Sequence, residues 1–420
     1  MSNSNNHNSH VPKLRFPGFD GEWEDLPLSN YLFEHKSKSD GKCEVHSVSV
    51  SKGVINQVEY LGRSFAAADT SKYNMVKPND IIYTKSPTGA FPYGIIKQNK
   101  NPYNVIVSPL YAVYTPTNKY VGYILDSYFE SPERTNNYLS SLVQKGAKNT
   151  IQISNDTFIS KLICLPSNPA EQQKIAECLT EMDNLISAQA QKVELLKTHK
   201  KGLMQQLFPQ PGETIPRLRF PGFEGDWVKK KLGMICDFVR GPFGGALKKN
   251  IFVSSGYAIY EQQHAIYGQW KFRYYIDPEK FEQMKRFEVH SGDILMSCSG
   301  TMGKTTIVPD NCTPGIINQA LLKLSVKSSV SNRFIKNFID GSWFQEGLNT
   351  KTAGGAIQNI ASVAILKELE ILLPTLPEQQ KIINCLSKLD DLITSESAKL
   401  ESLKAHKKGL MQQLFPEPIK

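Results

Sequence analysis

A glycine-rich stretch in the second half of the chain could bind a phosphate group. It reads SCSGTMGKTT over residues 297–306 and is similar to the nucleotide-binding pattern GxxxxGK[ST]. That pattern needs a glycine where Cys298 stands, so the backbone cradle for the phosphates is not specified. We therefore interpret the stretch as a turn between two strands.

Other segments are similar to parts of catalytic motifs but do not complete a site. NPYN at 101–104 is similar to the Asn/Asp-Pro-Pro-aromatic motif of amino-methyltransferases, but Tyr103 replaces the second proline and no glycine-rich loop for S-adenosylmethionine precedes it. GPFGG at 241–245 lacks a helix at the right spacing. GxSxG and HExxH are absent, and the seven cysteines show no CxxC or zinc-ligand spacing. The sequence predicts no catalytic, cofactor or metal site in this chain.

The chain contains an internal repeat. KLRFPGFDGEW at 13–23 returns as RLRFPGFEGDW at 217–227, with eight of eleven positions identical. A longer block at 171–211 returns at 378–418, with 26 of 41 positions identical. The chain therefore consists of two near-equal halves whose ends are alike and whose middles differ.

Each longer block has the apolar spacing of a coiled-coil helix. Steps of four and three residues alternate over ten positions, of which eight are apolar, and two polar breaks recur at the same places in both copies. A sustained seven-residue period predicts a seam, and two seams in one chain bury each other most economically. The seam positions are Ile175, Leu179, Met182, Ile186, Gln189, Val193, Leu196, Lys200, Leu203 and Leu207, and Ile382, Leu386, Leu389, Ile393, Glu396, Leu400, Leu403, Lys407, Leu410 and Leu414.

The variable segments, 24–170 and 228–377, have the pattern of mixed α/β domains. Runs such as IIYTK and GDILMSCS are typical of strands, whereas SNRFIKNFIDGSWFQEGL has helical spacing. We predict an α/β (α+β) fold in which two globular domains are separated by two long antiparallel coiled-coil helices, with Trp23 and Trp227 as packing anchors between domain and helix. The predicted parts are a disordered N-terminus (1–11), a first domain (12–170), a central helix (171–208), a linker with the second domain (209–377) and a C-terminal helix (378–415).

The excess positive charge lies in the variable segments. The chain has 49 Lys and Arg against 40 Asp and Glu, and the net charge is +3 over 24–170 and +6 over 228–377, against 0 and +1 for the helix blocks. Basic, aromatic-containing domains suit contact with phosphates and base edges, and neutral helices suit spacing and protein docking. Because the sequence has neither a run of about 18 apolar residues nor a signal peptide, we expect a cytoplasmic protein that does not enter a membrane.

Candidate contacts with DNA are loop residues beside Gly or Pro in the variable segments. Glycine lets the backbone approach a phosphate, Lys and Arg neutralise it, and Gln or Asn can pair with adenine. The predicted contacts are Lys85, Ser86, Arg240, Lys248, Lys249, Ser299, Thr301, Lys304, Lys351, Gln358 and Asn359.

Taken together, the repeated LRFPGF segments, the repeated EQQKI-to-HKKGLMQQLFP helices and the phrases GDILMSCSGTMGK, IINQALL and GGAIQNI resemble the specificity subunits of type I restriction-modification systems. The likeness spans nearly the whole chain from about residue 12. The first domain departs from the usual phrasing, with KSPTGAFPYG where the second has SCSGTMGK and GAKNTIQI where the second has GGAIQNI.

The resemblance implies a non-catalytic subunit that recognises a bipartite, asymmetric site in double-stranded DNA. It also implies two methyltransferase subunits, docked on the helices through seam residues, and restriction subunits in the full complex. The residues chosen for docking are Ile175, Leu179, Met182, Ile186, Ile382, Leu386, Leu389 and Ile393. S-adenosylmethionine, ATP and Mg²⁺ would act in the partner subunits and not in this chain.

Two other readings remain open from the residues alone. The first is a non-enzymatic coiled-coil scaffold whose two domains bind protein or RNA. The second is a methyltransferase with its own recognition domains, which the missing cofactor loop disfavours.

Overall fold

The structure is a computed structural model. It describes residues 10–145, 151–243, 245–299, 301–341, 344 and 363–416. The chain divides into two compact units, Met1–Ala190 with Ala398–Lys420, and Gln191–Ser397. Each unit therefore combines one variable domain with a part of each long helix. Residues 1–9 of the predicted disordered N-terminus lie outside the described ranges, and the domain boundaries given above stay a prediction.

The first unit contains twelve described strands and four short α-helices before the first long helix. The strands are β1 (Glu24–Pro27), β2 (Leu32–Glu34), β3 (His46–Ser49), β4 (Gly53–Asn56), β5 (Asn74–Val76), β6 (Ile81–Tyr83), β7 (Ile96–Gln98), β8 (Val105–Val107), β9 (Ala112–Pro116), β10 (Gln144–Lys145), β11 (Ile151–Gln152) and β12 (Leu162–Leu165). The helices are α1 (Gln57–Leu61), α2 (Lys119–Tyr128), α3 (Pro132–Ser140) and α4 (Asn155–Ser160), followed by α5 (Pro169–Leu207), whose last part belongs to the second unit.

The second unit contains the remaining strands and helices that the structure describes. The strands are β13 (Val228–Lys231), β14 (Cys236–Arg240), β15 (Tyr257–Tyr260), β16 (Tyr275–Ile276), β17 (Ile294–Ser297), β18 (Thr305–Ile307), β19 (Gly315–Ile317), β20 (Leu321–Val326) and β21 (Glu370–Leu373). The helices are α6 (Leu232–Ile235), α7 (Gln262–Tyr267), α8 (Pro278–Gln283), α9 (Asn332–Asp340), α10 (Val363–Glu368) and α11 (Leu376–Leu414), whose last part belongs to the first unit.

The two variable domains share one sheet plan. The main sheet of the first has the order β2-β9-β6-β7, and that of the second has the order β14-β20-β17-β18, with antiparallel neighbours throughout. Each domain is closed by a second antiparallel pair, β1 with β12 and β13 with β21. The internal repeat therefore extends to the domains whose sequences differ, and the predicted fold class is confirmed.

The predicted seam is buried inside each unit. Every seam position of α5 and α11 is buried or half-buried. Ile175 shares a core with Leu414 in the first unit, and Leu207 shares a core with Leu386 in the second. Because early residues of one helix meet late residues of the other, the helix segments run antiparallel within each unit.

Two polar breaks in the seam are lysines that face an aspartate. Nζ of Lys200 lies 2.5 Å from Oδ1 of Asp390, and Nζ of Lys407 lies 2.7 Å from Oδ1 of Asp183. Lys407 also lies 2.8 Å from Oε2 of Glu130, which follows α2. Burial alone would lower the pKa of the Lys407 ammonium, but the charges and hydrogen bonds of the two carboxylates outweigh it and raise the pKa. In the first unit, Lys407 therefore also connects the long helix to Glu130 of the variable domain.

The first LRFPGF segment (13–23) joins the start of α5 to the end of α11. Nε and Nη2 of Arg15 donate to the two carboxylate oxygens of Glu171 at 2.7 and 2.9 Å, and Nε1 of Trp23 donates to Glu171 at 3.3 Å. The N–H of Leu14 donates to the carbonyl oxygen of Gln413 at 3.0 Å. The segment is therefore bonded to both long helices.

The second LRFPGF segment (217–227) repeats this geometry with the helices exchanged. Arg219 donates to both oxygens of Glu378 at 2.8 and 2.9 Å, and Trp227 donates to Glu378 at 3.3 Å. The N–H of Leu218 donates to the carbonyl oxygen of Gln206 at 2.9 Å. Both tryptophans are buried, so their predicted role as packing anchors is confirmed.

Candidate nucleic-acid interface

One end of the main sheet in the second unit carries several of the predicted DNA contacts. Arg240 is the last residue of β14, and the loop 298–304 connects β17 to β18. These segments meet because Gly241 donates its N–H to the carbonyl oxygen of Leu321 at 3.0 Å and Ser297 is the register partner of Leu321. The predicted contacts Arg240, Ser299, Thr301 and Lys304 are therefore brought to the same end of one sheet.

The described residues of the loop 298–304, which are all but residue 300, are held by backbone hydrogen bonds, and some of their side chains are exposed. Ser297 donates its N–H to the carbonyl oxygen of Lys304 at 2.9 Å, and Lys304 donates its N–H to Oγ of Ser297 at 3.0 Å. Nε2 of Gln262, at the start of α7, donates to the carbonyl oxygens of Ser299 and Thr301. The side chains of Thr301 and Lys304 are exposed, so a fixed loop presents a hydroxyl and an ammonium group to solvent.

Gln262, which holds this loop, could not be predicted from the sequence. Its hydrogen bonds reach Ser299 and Thr301, which are 37 and 39 residues further along the chain. The periodicity of a helix or strand does not indicate contacts between residues so far apart.

Lys248 and Lys249 lie on the loop that follows β14. Both side chains are exposed, and the carbonyl oxygen of Lys248 accepts the N–H of Ile251 at 3.1 Å. Leu247 and Ile251 pack against a buried cluster that contains Ile259, which anchors this part of the loop. The loop therefore exposes two ammonium groups to solvent while its neighbouring residues are packed against the domain.

The corresponding loop of the first unit, 84–95 between β6 and β7, uses its lysine internally. Lys85 has a φ of 59° and donates from Nζ to Oδ1 of Asn155, whose Nδ2 donates to Glu34 at 2.6 Å. Burial lowers the pKa of the Lys85 ammonium. A Cβ on Gly94 would lie 2.8 Å from the backbone nitrogen of Lys85, so only glycine fits there. In this structure Lys85 braces the loop.

The remaining predicted contacts have separate positions. Ser86 is exposed on the same loop, and its Oγ donates to the carbonyl oxygen of Thr84 at 3.4 Å. Lys351, Gln358 and Asn359 lie outside the described residues. The assignment of these residues, and of those above, as DNA contacts stays a prediction.

The residues chosen for partner docking contribute to the cores of the two units. Ile175, Leu179, Ile382 and Leu386 are buried, and Met182, Ile186, Leu389 and Ile393 are half-buried. A partner on the helices would therefore meet other faces first. Leu185 and Leu392 occupy equivalent positions of the repeat and have 53% and 41% of their side chains exposed. The docking role of the helices stays a prediction.

The same described residues include the cysteines and the possible metal ligands. All seven cysteines are unpaired, and burial raises the pKa of Cys298 to about 12. Within the described ranges, no group of three His, Cys, Asp or Glu side chains could hold a metal ion, and no helix is both long and apolar enough to cross a membrane.

Comparison with known proteins connects this architecture to a family. A family model described as the type I restriction modification DNA specificity domain matches residues 224–405. The chain is 25% identical over 276 residues to the specificity subunit of the type I restriction enzyme MjaVIII of Methanocaldococcus jannaschii, covering 63% of this chain and 64% of that protein. The chain is therefore similar to type I specificity subunits, and residues 224–405 match the DNA specificity domain of that family.

A second specificity subunit is similar to the chain. The putative type I restriction enzyme MjaX specificity subunit of the same organism is 27% identical over 266 residues, covering 62% of this chain and 60% of that protein. The matches thus span less than two thirds of the length of these two specificity subunits.

Solved structures of type I systems share the fold. The crystal structure of a type I restriction-modification S subunit from M. genitalium has a TM-score of 0.58 at 15% identity, covering 97% of this chain and all of that one. A chain from a structural study of complex assembly and conformational transition of a type I system has a TM-score of 0.57 at 17% identity, covering 96% and 97%. At these identities the likeness concerns the fold of the specificity subunit.

Proposed function

We propose that this chain is the DNA-recognition subunit of a type I restriction-modification complex. Each unit recognises one half of a bipartite DNA site, and the chain directs methyltransferase and restriction subunits to that site. The chain itself does not catalyse methyl transfer or cleavage. The similarity to type I specificity subunits, and the match of residues 224–405 to their DNA specificity domain, support a role in DNA specificity.

The observation that carries the proposal is one sheet plan with two different loops. The strand pairs β6–β7 and β17–β18 have the same place in their sheets, but the loops that join them, 84–95 and 298–304, differ in length and sequence. The first is braced by the Lys85–Asn155 bond, and the second exposes Thr301 and Lys304. Two related domains with different exposed loops suit the reading of two different half-sites.

The difference between the domains predicts an asymmetric site. Two identical domains about a twofold axis would read a palindrome, because duplex DNA has the same pseudo-symmetry. The excess of positive charge in both variable segments, +3 and +6, supplies the attraction to phosphates that DNA binding requires.

The partners of the proposed complex meet the long helices. The two helices present a repeated exposed position, Leu185 and Leu392, which suits two copies of one partner. Support also comes from the type I system whose structural study concerns complex assembly, since a chain of that system shares the fold.

The experiment is a map of methylated bases in cells that carry the methyltransferase subunit with and without this chain. The proposal expects one bipartite, asymmetric sequence to be methylated only when the chain is present. Methylation of the same sequence without the chain would contradict it, as would methyl transfer by the purified chain alone.

A further inference from the structure

The turn between β8 and β9 in the first unit exposes a large apolar side chain. Leu110 has 76% of its side chain exposed. Its backbone is nevertheless fixed, because its N–H donates to Oγ of Ser108 at 3.3 Å and the N–H of Tyr111 donates to the carbonyl oxygen of Ser108 at 3.1 Å. Nδ2 of Asn74 also donates to the carbonyl oxygen of Tyr111 at 2.8 Å. A rigid turn therefore holds an apolar side chain in water.

The loop after β14 in the second unit does the same with an aromatic side chain. Phe243 has 75% of its side chain exposed, directly after the buried Gly241 and Pro242. The proline ring fixes φ at position 242. On the far side of the exposed residue, Ala246 and Leu247 pack against a buried cluster. The described residues of the loop are thus anchored both before and after Phe243.

The two side chains occupy the same end of their sheets. In the second unit, Asn318 holds the turn before β20 in the same way as Ser108 holds the turn before β9. Oδ1 of Asn318 accepts the N–H of Ala320 at 3.0 Å. The carbonyl oxygen of Asn318 accepts the N–H of Leu321 at 3.1 Å. A Cβ on Gly241 would lie 1.9 Å from the carbonyl oxygen of Asn318. The loop of Phe243 therefore crosses the turn that corresponds to the turn of Leu110.

Each of these side chains has basic neighbours. Nζ of Lys38 donates at 2.6 Å to Oδ1 of Asn74, the residue that holds the Leu110 turn. In the sequence, Phe243 stands between Arg240 and Lys248. The segment from 238 to 260 contains three basic residues and no acidic residue. An exposed apolar group beside cations matches a polyanion that also offers an apolar surface, which is the chemistry of stacked bases between phosphates.

We infer that Leu110 and Phe243 are apolar wedges, one for each half-site, that enter the base stack of the bound DNA. This inference rests on the proposed function. Proteins that bend DNA insert Leu or Phe side chains between base steps, and the cost of unstacking depends on the sequence of the step. The two wedges therefore add specificity at steps that no hydrogen bond reads.

The test uses the full chain assembled with its methyltransferase subunits, and duplexes of the recognised site that carry 2-aminopurine in one half-site at a time. With the parent chain, binding should raise the fluorescence of the base analogue in both half-sites, because unstacking relieves its quenching. Phe243→Ala should abolish the rise only in the half-site read by the second unit, and Leu110→Ala only in the other. Loss of the aromatic ring in Phe243→Ala should weaken binding roughly 5- to 150-fold.

Each alanine variant is the matched control for the other, since both remove an exposed side chain. Phe243→Trp and Leu110→Met keep an apolar wedge and should keep the rise. Because neither residue is buried, all four variants should unfold at the temperature of the parent.

Three outcomes would overturn the inference. The first is an unchanged rise in its own half-site for either alanine variant. The second is reduced capture of the methyltransferase subunits without DNA, which would assign the side chain to a protein interface. A parent complex that binds all duplexes alike would refute the proposed function together with the wedges, whereas the first two outcomes leave the proposed function standing.

Discussion

Arg219 and Glu378, 159 residues apart in the chain, form a two-bond ion pair in which Nε and Nη2 meet the two carboxylate oxygens at 2.8 and 2.9 Å. The carboxylate is buried, and the hydrogen bond to Glu378 is the main cause that raises the pKa of Arg219. The pair connects the second LRFPGF segment to the first turn of α11. Arg15 and Glu171 form the same pair in the first unit.

Removal of this pair should destabilise the second unit. Arg219→Met leaves the buried Glu378 without its charged donor, and the loss of charged hydrogen bonds should lower the free energy of unfolding by about 2–3 kcal/mol. Arg217→Met is the matched control, because Arg217 pairs with Glu213 at the surface and should cost no more than about 1 kcal/mol. Urea unfolding of both variants measures the difference, and equal midpoints would show that the buried pair does not fasten the segment.

The two lysine breaks of the seam should differ in their effect on stability. Lys407 is 8% exposed and meets two carboxylates, whereas Lys200 pairs with an exposed aspartate. Because both carboxylate partners of Lys407 are partly exposed, Lys407→Met should cost about 1–3 kcal/mol, and Lys200→Met about 1 kcal/mol or less. Unfolding of the two variants in urea compares the costs.

The cost at Lys407 should also depend on pH. Its folded pKa is raised above the unfolded value of about 10.4, so its contribution is complete below that value and is lost as the pH rises through the folded pKa. The gap in stability between the parent and Lys407→Met should be constant near neutral pH and should narrow above about pH 10.4. A gap that widens at high pH would contradict the assigned ion pairs.

Exposed leucines on the long helices should contribute to docking of the methyltransferase subunits. Leu185→Glu and Leu392→Glu place a charge on equivalent exposed positions, and each should weaken association with the partner by at least about tenfold without changing the unfolding midpoint. Ser187→Glu, at another exposed position of α5, serves as a control for added charge. Analytical ultracentrifugation of the mixed subunits gives the result, and unchanged association of both leucine variants would remove this face from the docking surface.

Lys304 should contact a phosphate. Its exposed ammonium stands on the fixed loop 298–304, so Lys304→Ala should weaken binding to all duplexes alike and lower the salt slope of binding by about one unit. Lys388→Ala, which removes an exposed lysine from α11, should leave the slope unchanged. The slopes are measured by binding titrations over a range of salt concentrations. Equal slopes for the parent and Lys304→Ala would show that Lys304 does not contact a phosphate.

The long helices and their seam could be predicted because they follow from local spacing. A seven-residue period fixes which side chains share a face, and the polar breaks at Lys200 and Lys407 proved to be paired positions of that face. The tryptophans of the LRFPGF segments could be assigned as anchors because the segment recurs with the helix block. Their partners, Glu171 and Glu378, could not be assigned, since a period does not show which distant residue a side chain meets.

The candidate site was only partly accessible to sequence reasoning. Glycine and lysine in SGTMGK indicated an exposed loop, which the structure contains. The bracing role of Lys85 depends on Asn155, 70 residues away, and nothing local to KSPTGAFPYG shows that bond. The common strand order of the two main sheets could not be predicted from the sequence either. A buried strand requires apolar residues, but many different apolar sequences meet that requirement. Leu110 and Phe243 became candidates only when exposure was known.

The central claim is that each unit reads one half of a split site, and an exchange of one domain tests it most directly. Residues 24–170 would be replaced by the corresponding domain of another specificity subunit with a different target, and methylated bases would be mapped in cells with the parent and with the chimera. The account predicts that one half-site changes and the other stays the same. A change in both half-sites, or in neither, would contradict it.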